Sequence, residues 1–414
     1  MNVISEQLVG KVRNSKLRTG MDYILKCHEM TKADIVRGHN CYLYDANNKR
    51  YVDFESGVWS TVLGHNHPRI SRTIQEQIDR VMHLGYRYTN RTAEEAAAAL
   101  LEAVGLEKGK CVFLSSGSEA VELAIQVAKL VTGKSHLLTL SESYMAAYGA
   151  AAKQGPDEWL QIDREACRTC SDKATCKDTC PKADGLPFEE IAAFVLEPAS
   201  ASGNVRLPPE KLVDLLASEV KQHQGLIVVD EVTTGLGRTG KWWGFEHYDL
   251  SPDVIAFGKG LGNGYPVSAV ATKEEVADLL EARTFRYVQS HQNDPLGCAV
   301  AKEVISVIRE EELIARSAAL GESLYDRLDE IGKRHEFVRE VRGRGLMVSL
   351  ELAGAGDNPI TSVVYDEMLE RGYLIGHNPR SNVLRFLPPL TIEENEMANL
   401  AHNLYDILET LGRQ

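Results

Sequence analysis

Short, continuously apolar runs alternate with helical stretches through the middle of this chain. The runs read CVFL, LLTL, AAFVL, LIVV, VIAF and SAVA. Runs this short and without polar residues are typical of parallel strands that are covered on both faces. Their alternation with helices predicts an α/β fold with a mostly parallel central sheet.

Polar or glycine-rich segments follow five of these runs directly. CVFL is followed by SSGS, LLTL by SESY, AAFVL by EP, LIVV by DE, and VIAF by GKG. Ligands of such sheets bind at the carboxyl ends of the strands. We therefore expect the five segments to converge on one crevice.

The two ends of the chain predict a second, smaller α/β domain. CYLYDANNKRYVDF is typical of a hairpin with its turn at residues 45–48. The C-terminal part predicts a long helical region, a strand pair in VREVRGRGLMVSLEL, a helix, two short strands and a final helix. We expect an N-terminal segment, 1–59, that joins the small domain, a large domain at 60–300 and a C-terminal small-domain part at 301–414.

Composition and charge exclude some classes of function but do not identify one. The chain has 414 residues and a net charge of −13, which argues against nonspecific nucleic acid binding and against docking on an anionic membrane. No apolar run approaches the ~18 residues of a transmembrane helix. The first 20 residues lack the apolar core of a signal peptide. We therefore expect a cytoplasmic protein.

Lys259 and Asp230 are the most informative pair of residues. Lys259 lies between two glycines after VIAF, and Asp230 ends the run LIVVD. Such an amine can form a Schiff base with the aldehyde of pyridoxal phosphate (PLP), and such a carboxylate can keep the pyridine nitrogen protonated so that the ring accepts electrons. Taken singly, the lysine also fits a surface loop and the aspartate a turn or helix cap.

Other candidates lie beside the same strand ends. Ser116, Gly117 and Ser118 precede a helix whose free N–H groups suit a phosphate, although Ser118 also fits a plain N-cap. Tyr144 can stack on a pyridine ring. Trp59 fits either the mouth of a substrate pocket or the core.

Together these segments resemble the class III PLP-dependent aminotransferases over nearly the whole chain. The signature is LIVVDEVTTGLGRTG followed by SPDVIAFGKGLGNGYPVSAV. YLYDANNKRYVDF, VLGHNHPRI, SSGSEAVELAIQVAK, SHQNDPLGCAVA, VRGRGLMVSLEL and VLRFLPPLTI are similar to further family segments in the family's order.

The resemblance implies fold type I and a homodimer with active sites at the subunit interface. It implies that Lys259 forms the Schiff base and that Asp230 pairs with the pyridine nitrogen. The remaining matches are Gly117 and Ser118 at the phosphate turn, Tyr144 and Val232 on the two ring faces, Ser290 reaching the phosphate of the neighbouring subunit, and Arg385 binding a substrate carboxylate.

Three departures from the family pattern bear on the substrate. The run EPASASG places Ser202 where many relatives have a glutamate that pairs with the arginine matched by Arg385. A glutamate-gated mechanism is therefore in doubt. Tyr144-Met145-Ala146 replaces the usual aromatic-His-Gly, and Thr233 replaces a glutamine near the cofactor's phenolic oxygen.

Four cysteines form a cluster in a predicted insertion at 163–185. Cys167, Cys170, Cys176 and Cys180 have the spacing C-x2-C-x5-C-x3-C. Four thiolates can hold a structural zinc or an iron–sulfur cluster. Disulfides, which a cytoplasmic setting disfavours, and unliganded thiols are the alternatives.

These observations predict a PLP-dependent aminotransferase that works by a ping-pong mechanism. It would move an amino group from a small-molecule amine donor to a keto acid, and the missing glutamate favours an ω-amine or β-amino acid donor. A racemase or aminomutase on the same scaffold is the alternative. A non-catalytic PLP-bound protein, or a metal- or redox-sensing protein, is the alternative from another class.

Overall fold

The structure, a computed structural model, describes residues 24–25, 27–28, 31, 33–164, 170, 180–353 and 360–412. Its strands are β1 (Ile35–His39), β2 (Tyr42–Asp45), β3 (Arg50–Asp53), β4 (Lys110–Leu114), β5 (His136–Leu140), β6 (Trp159–Ile162), β7 (Ile191–Leu196), β8 (Leu226–Asp230), β9 (Val254–Phe257), β10 (Ser268–Thr272), β11 (Val338–Arg344), β12 (Met347–Leu352), β13 (Tyr373–Leu374), β14 (Gly376–Asn378) and β15 (Val383–Phe386).

The helices lie mostly between these strands. They are α1 (Pro68–Ile78), α2 (Arg91–Val104), α3 (Gly117–Thr132), α4 (Gly149–Lys153), α5 (Glu210–Gln222), α6 (Glu274–Ala282), α7 (Pro295–Glu310), α8 (Leu313–Arg334), α9 (Ile360–Glu370) and α10 (Glu394–Gly412). None of the helices in the described ranges is long and apolar enough to cross a membrane.

A seven-stranded sheet in the order β4-β10-β9-β8-β7-β5-β6 is the centre of the fold. Strands β5 to β9 pair in parallel, as the sequence predicted. The prediction of a parallel strand was wrong for SAVA, because β10 is antiparallel to both β9 and β4. A loop at 258–267, rather than a crossover helix, joins β9 to β10, so the chain turns back on itself.

Although β10 is antiparallel to its neighbours, the carboxyl ends of the other strands still share one edge of the sheet. Because β10 opposes both of its neighbours, β4 runs in the same direction as β9. The carboxyl ends of β4, β5, β7, β8 and β9 therefore lie at the same edge of the sheet.

Helices cover both faces of this sheet. On β8, Val228 packs into one core cluster with α3, while Ile227 and Val229 pack into another with α7. This alternation follows from the two-residue period of a strand. It confirms the prediction of buried strands covered on both sides.

The two ends of the chain meet in smaller sheets. The predicted hairpin is present as β2 and β3, and β3 pairs in parallel with β13 in the sheet β1-β2-β3-β13. Another sheet has the order β11-β12-β15-β14. Three short strands follow α9, where the sequence predicted two.

The predicted domain division and the predicted metal centre at the cysteine cluster both stay predictions. The division into domains stays a prediction, and α7 runs across the boundary placed at 300/301. Within the cysteine cluster, Cys167 and Cys176 lie outside the described residues, whereas Cys170 is exposed and Cys180 half-buried, each with a free thiol.

Candidate active site

Lys259 and Asp230 lie at neighbouring strand ends, where the sequence placed them. Asp230 ends β8 and is 5% exposed, and Lys259 begins a helical turn directly after β9. The Lys259 Nζ donates a hydrogen bond of 2.6 Å to the hydroxyl of Thr233. Burial lowers the pKa of the Lys259 amine, and the negative charge of Asp230 opposes this shift.

The Lys259 backbone is held in an unfavourable conformation. Its φ is 43°, in the left-handed region that residues with a side chain rarely adopt. Such strain costs of order 1–3 kcal/mol and persists only where the surroundings enforce it. This backbone conformation sets the direction in which the Lys259 side chain extends from the loop after β9.

Two buried carboxyl groups stand near this amine. Burial raises the pKa of Asp230, and burial together with the charge of Asp230 raises the pKa of Glu197. Glu197 follows β7 and accepts hydrogen bonds from the backbone N–H groups of Tyr144 (2.8 Å) and Ala201 (3.2 Å). Sequence reasoning noted the EP pair but assigned Glu197 no role; its place after a buried strand was the available signal.

The serine–glycine turn begins α3 as predicted, but its cap differs from the alternative weighed. Ser116, not Ser118, is the N-cap, and it forms a reciprocal capping box with Glu119. The Ser118 Oγ accepts a hydrogen bond of 2.9 Å from the backbone N–H of Ala147. Its own hydroxyl proton remains available to a ligand at the helix N-terminus.

Gly117 brings two strand ends into close contact. A Cβ at Gly117 would lie 2.7 Å from Val232 Cγ1, and a Cβ at Gly258 would lie 3.1 Å from the Gly117 Cα. The segments after β4, β8 and β9 can approach this closely only because both positions are glycine. The predicted phosphate turn, Val232 and the lysine loop are thus brought together.

Trp59 lies beside the reactive amine. The Lys259 Nζ is 4.6 Å from the centre of the Trp59 ring, and the indole is 8% exposed. Trp59 ends a turn, Ser56–Trp59, in which four consecutive residues have positive φ values. The ring is buried, as the core alternative requires, and it also contacts Lys259; a place at the mouth of a substrate pocket stays a prediction.

Tyr144 and Ser290 stand apart from the buried residues. The Tyr144 side chain is 50% exposed, while Met145 and Ala146 behind it are buried. Ser290 is exposed, although its neighbour Gln289 hydrogen-bonds Ser115 and Glu119 beside the α3 N-terminus. The structure therefore brings Lys259, Asp230, Gly117, Val232 and Trp59 together within the chain, whereas Ser290 is exposed.

Arg385 has a carboxylate partner that sequence reasoning missed. Arg385 Nη2 donates to Glu55 Oε2 over 3.3 Å. The two residues are 330 positions apart. The ion pair forms because β15 and the turn after β3 meet, a contact that no local sequence pattern predicts.

A group with the features of PLP fits these residues. Among the described residues, the only hydrogen bond donated to the Asp230 carboxylate comes from the Val232 N–H, at 2.9 Å to Oδ1. The other oxygen could accept a hydrogen bond from a protonated pyridine nitrogen. The N-terminus of α3 suits a phosphate, and Lys259 offers a buried amine with a lowered pKa.

The fold is that of the fold type I transaminases. A Bacillus anthracis aminotransferase superposes with a TM-score of 0.87 at 25% identity, covering 94% of this chain and 96% of that one. The class III aminotransferase family model matches residues 23–154 and 156–408.

The chain belongs to the class III aminotransferase family. It is 31% identical to an acetylornithine aminotransferase of Aquifex aeolicus over 94% of this chain and all of that protein. It is 32% identical to a leucine/methionine racemase of Thermococcus litoralis, over 90% of each. The family confirms the predicted fold and the predicted class of enzyme, a PLP-dependent transaminase.

Proposed function

We propose that this protein transfers an amino group from an ω-amine or β-amino acid to a small keto acid, with Lys259 as the catalytic base. The observation that carries the proposal is the buried Lys259 amine, hydrogen-bonded to Thr233 and electrostatically coupled to Asp230. When bound, PLP supplies an aldehyde for covalent attachment and a protonated ring that stabilises negative charge on the substrate carbon.

The residues of the site would have distinct roles in this reaction. Lys259 would hold the cofactor in the resting enzyme, and with substrate bound its neutral amine would accept the proton from the substrate carbon. Asp230 would hold the proton on the pyridine nitrogen. The α3 N-terminus with Gly117 and Ser118 would hold the phosphate, and Tyr144 and Val232 would flank the ring.

Burial keeps Lys259 competent as a base. A neutral amine is required to accept a proton, and burial favours the neutral form by lowering the pKa of the Lys259 amine. The Thr233 hydroxyl accepts a hydrogen bond from the amine and so fixes its position. The Lys259 amine can thus remain neutral and in a fixed position while the substrate is bound.

A single-turnover experiment tests the proposal. Holoenzyme is mixed with β-alanine, a primary diamine or propan-2-amine without acceptor, and the carbonyl product is quantified. One equivalent of product per site, and further turnover only when pyruvate is added, is expected. Absence of product from every donor would overturn the donor class, and the same reaction with L-alanine or L-glutamate, which react through an α-amine, would then identify a different one.

The racemase alternative rests on the relatives that carry that name, such as the one from Thermococcus litoralis. Chiral analysis of L-alanine and L-leucine incubated without a keto acid separates the two functions. Formation of the D-enantiomer without acceptor would favour racemisation. Amine donors that leave the visible spectrum of the bound cofactor unchanged would favour a non-catalytic protein.

We infer that the active unit is a homodimer. Ser290, which the family resemblance places at the neighbouring subunit's phosphate, is exposed here. Large apolar side chains are also exposed, namely Ile78, Met82, Tyr86, Tyr88 and Val288. Sedimentation equilibrium should give twice the 45.8 kDa chain mass, and a monomer with full PLP affinity would contradict the inference.

We also propose a structural metal centre, zinc or iron–sulfur, at Cys167, Cys170, Cys176 and Cys180, in a cytoplasmic enzyme. The support is the cysteine spacing, together with the free thiols of Cys170 and Cys180. Metal analysis of protein purified without oxygen is the test. Finding neither zinc nor iron would remove the proposal without touching the transaminase assignment.

A further inference from the structure

Glu55 links Arg385 to Trp59. One carboxylate oxygen of Glu55 accepts from Arg385 Nη2 at 3.3 Å, and the other accepts from the Trp59 indole N–H at 3.3 Å. The Arg385 guanidinium carbon lies 5.1 Å from the centre of the Trp59 ring. The side chains of Arg385 and Glu55 are 14% and 17% exposed, so solvent screens this ion pair poorly.

Glycines on two different segments make room for the pair. A Cβ at Gly376 on β14 would lie 2.0 Å from Glu55 Oε1 and 2.5 Å from Arg385 Nε. A Cβ at Gly203 would lie 2.7 Å from Arg385 Nη1. Gly203 ends the run in which Ser202 replaces the family's glutamate, so small residues surround the guanidinium on that side.

The Asp53 carboxylate, two residues before Glu55, is already engaged in other hydrogen bonds. The Asp53 carboxylate accepts from the backbone N–H groups of Glu55 and Gly57 and contacts His65 Nε2 at 2.7 Å. Ser202 contributes a hydroxyl, which contacts the hydroxyl of Ser200. Within the described residues, Glu55 is the one carboxylate in salt-bridge contact with Arg385.

The pair is close to the reacting amine. Trp59 contacts both basic side chains, with Lys259 Nζ at 4.6 Å from its ring centre and the Arg385 guanidinium carbon at 5.1 Å. A substrate whose amino group approaches Lys259 therefore has its other substituents near Trp59 and Arg385. A carboxylate on such a substrate meets an arginine whose charge is already balanced.

We propose that Glu55 determines donor specificity by competing with a substrate carboxylate for Arg385. This inference rests on the proposed function. In the free enzyme Glu55 neutralises the guanidinium, and a carboxylate next to the amino carbon must displace it before it can bind. Donors without that carboxylate meet no such competition, so the ion pair lowers the apparent affinity for α-amino acids and leaves that for simple amines unchanged.

Two donors of matched shape test the proposal. Alanine and propan-2-amine differ only in the replacement of a methyl group by a carboxylate. In Glu55→Gln, which keeps the shape and can still accept a hydrogen bond, KM for alanine is expected to fall about tenfold. KM for propan-2-amine is expected to stay within about twofold. Equal changes for both donors, or no fall for alanine, would contradict the proposal.

Direct binding gives a readout that does not depend on turnover. Holoenzyme is titrated by calorimetry with propanoate and with propanamide, which lack an amino group. Glu55→Gln should bind propanoate about tenfold tighter and propanamide equally. The gain should disappear in Glu55→Gln combined with Arg385→Gln, and unchanged propanoate binding in Glu55→Gln would overturn the proposal.

Controls separate this inference from the proposed function. Glu303→Gln breaks a remote pair with Arg69 and should alter neither donor preference nor propanoate binding. If Glu55→Gln loses stability, Glu55→Asp, which withdraws the carboxylate by one methylene, should still shift both measurements in the same direction. A wild type that fails to use amines while propanoate binding shifts in Glu55→Gln would remove only the proposed function.

Discussion

The amine of Lys259 lies 2.6 Å from the hydroxyl of Thr233, and this hydrogen bond ties the loop after β9 to the loop after β8. The hydroxyl is an acceptor for either protonation state of the amine, but a hydrogen bond to the charged form is the stronger one. Thr233 therefore holds the amine in place, and we expect this hydrogen bond to moderate the fall in the pKa of Lys259.

Thr233→Val should lower the pKa of Lys259 further, by up to about one unit, because the ammonium loses an acceptor while burial stays the same. The measurement is the rate of covalent attachment of PLP to the apoprotein as a function of pH. The apparent pKa of that rate should move downward in the variant. Thr410→Val, at a distant helical position, is the matched control, and an unchanged profile in Thr233→Val would show that the hydroxyl does not influence the amine.

Asp230→Asn should lower kcat by at least about 100-fold, since an amide of the same shape cannot keep a pyridine nitrogen protonated. Steady-state kinetics with the best donor would show this loss. The amount of PLP bound should be nearly unchanged, which separates a chemical role from a folding defect. Retention of more than a tenth of the wild-type kcat would contradict the assignment of Asp230.

The stability of the apoprotein should fall as pH rises through the neutral range. Burial raises the pKa of Asp230 and of Glu197 above their ordinary values near about 4, so folding favours the protonated carboxyl groups. Their contribution is complete below about pH 4 and is lost as pH rises through the raised folded-state values.

Melting temperatures of apoprotein between pH 5 and pH 8.5 test this dependence. Asp230→Asn removes one of the two groups and should flatten the decline by a few degrees. Asp329→Asn, on α8 and away from the site, should leave the slope as it is in the wild type. A steeper decline in Asp230→Asn than in the wild type would show that the sign of the effect is wrong.

Ser116 and Ser118 should separate capping from cofactor binding. Ser116→Ala removes the N-cap of α3 and should cost about 1 kcal/mol of unfolding free energy with little change in PLP affinity. Ser118→Ala should weaken PLP binding about tenfold through a lost charge-assisted hydrogen bond, with a small effect on stability. Denaturant titration and equilibrium dialysis measure the two quantities, and a reversal of the pattern would exchange the two roles.

Gly117→Ala should weaken PLP binding by about tenfold or more. The new Cβ would meet Val232 Cγ1 at 2.7 Å, and overpacking of this kind costs typically about 1–3 kcal/mol. Gly155→Ala is the matched control, because a Cβ there meets nothing within 4 Å. Equal PLP affinity in the two variants would show that Val232 can move away from the new Cβ and that the close contact between Gly117 and Val232 does not contribute to PLP binding.

The central sheet and the pair Lys259 and Asp230 could be predicted because both depend on local pattern. Each residue directly follows or ends an apolar run, and strand ends in a parallel sheet share an edge. The direction of β10 was missed because SAVA has the same buried composition as a parallel strand. Only the short connection before it, at 258–267, distinguishes the two.

The role of Glu55 could not be predicted, since its partner Arg385 is 330 residues away in the sequence. An acid between Phe54 and Ser56 in a buried segment is a weak signal by itself, and the sequence does not show that β15 approaches it. Glu197 had a local signal in its place after a buried strand, but its raised pKa arises from burial next to Asp230 rather than from any motif. The interactions that tune the site are long-range, whereas the residues that define its class are local.

The parallel pairing of β3 with β13 has a consequence during synthesis. Val52 pairs with Tyr373, and Asp53 with Leu374. At roughly 5–20 residues per second, the ribosome needs on the order of 15–60 s to make the intervening chain. Until then the outer edge of β3 has no strand to pair with, and Glu55 and Trp59 have no Arg385 to contact. The contacts between Glu55, Trp59 and Arg385 can therefore form only after most of the chain has been made, and until then the outer edge of β3 is open to other strands.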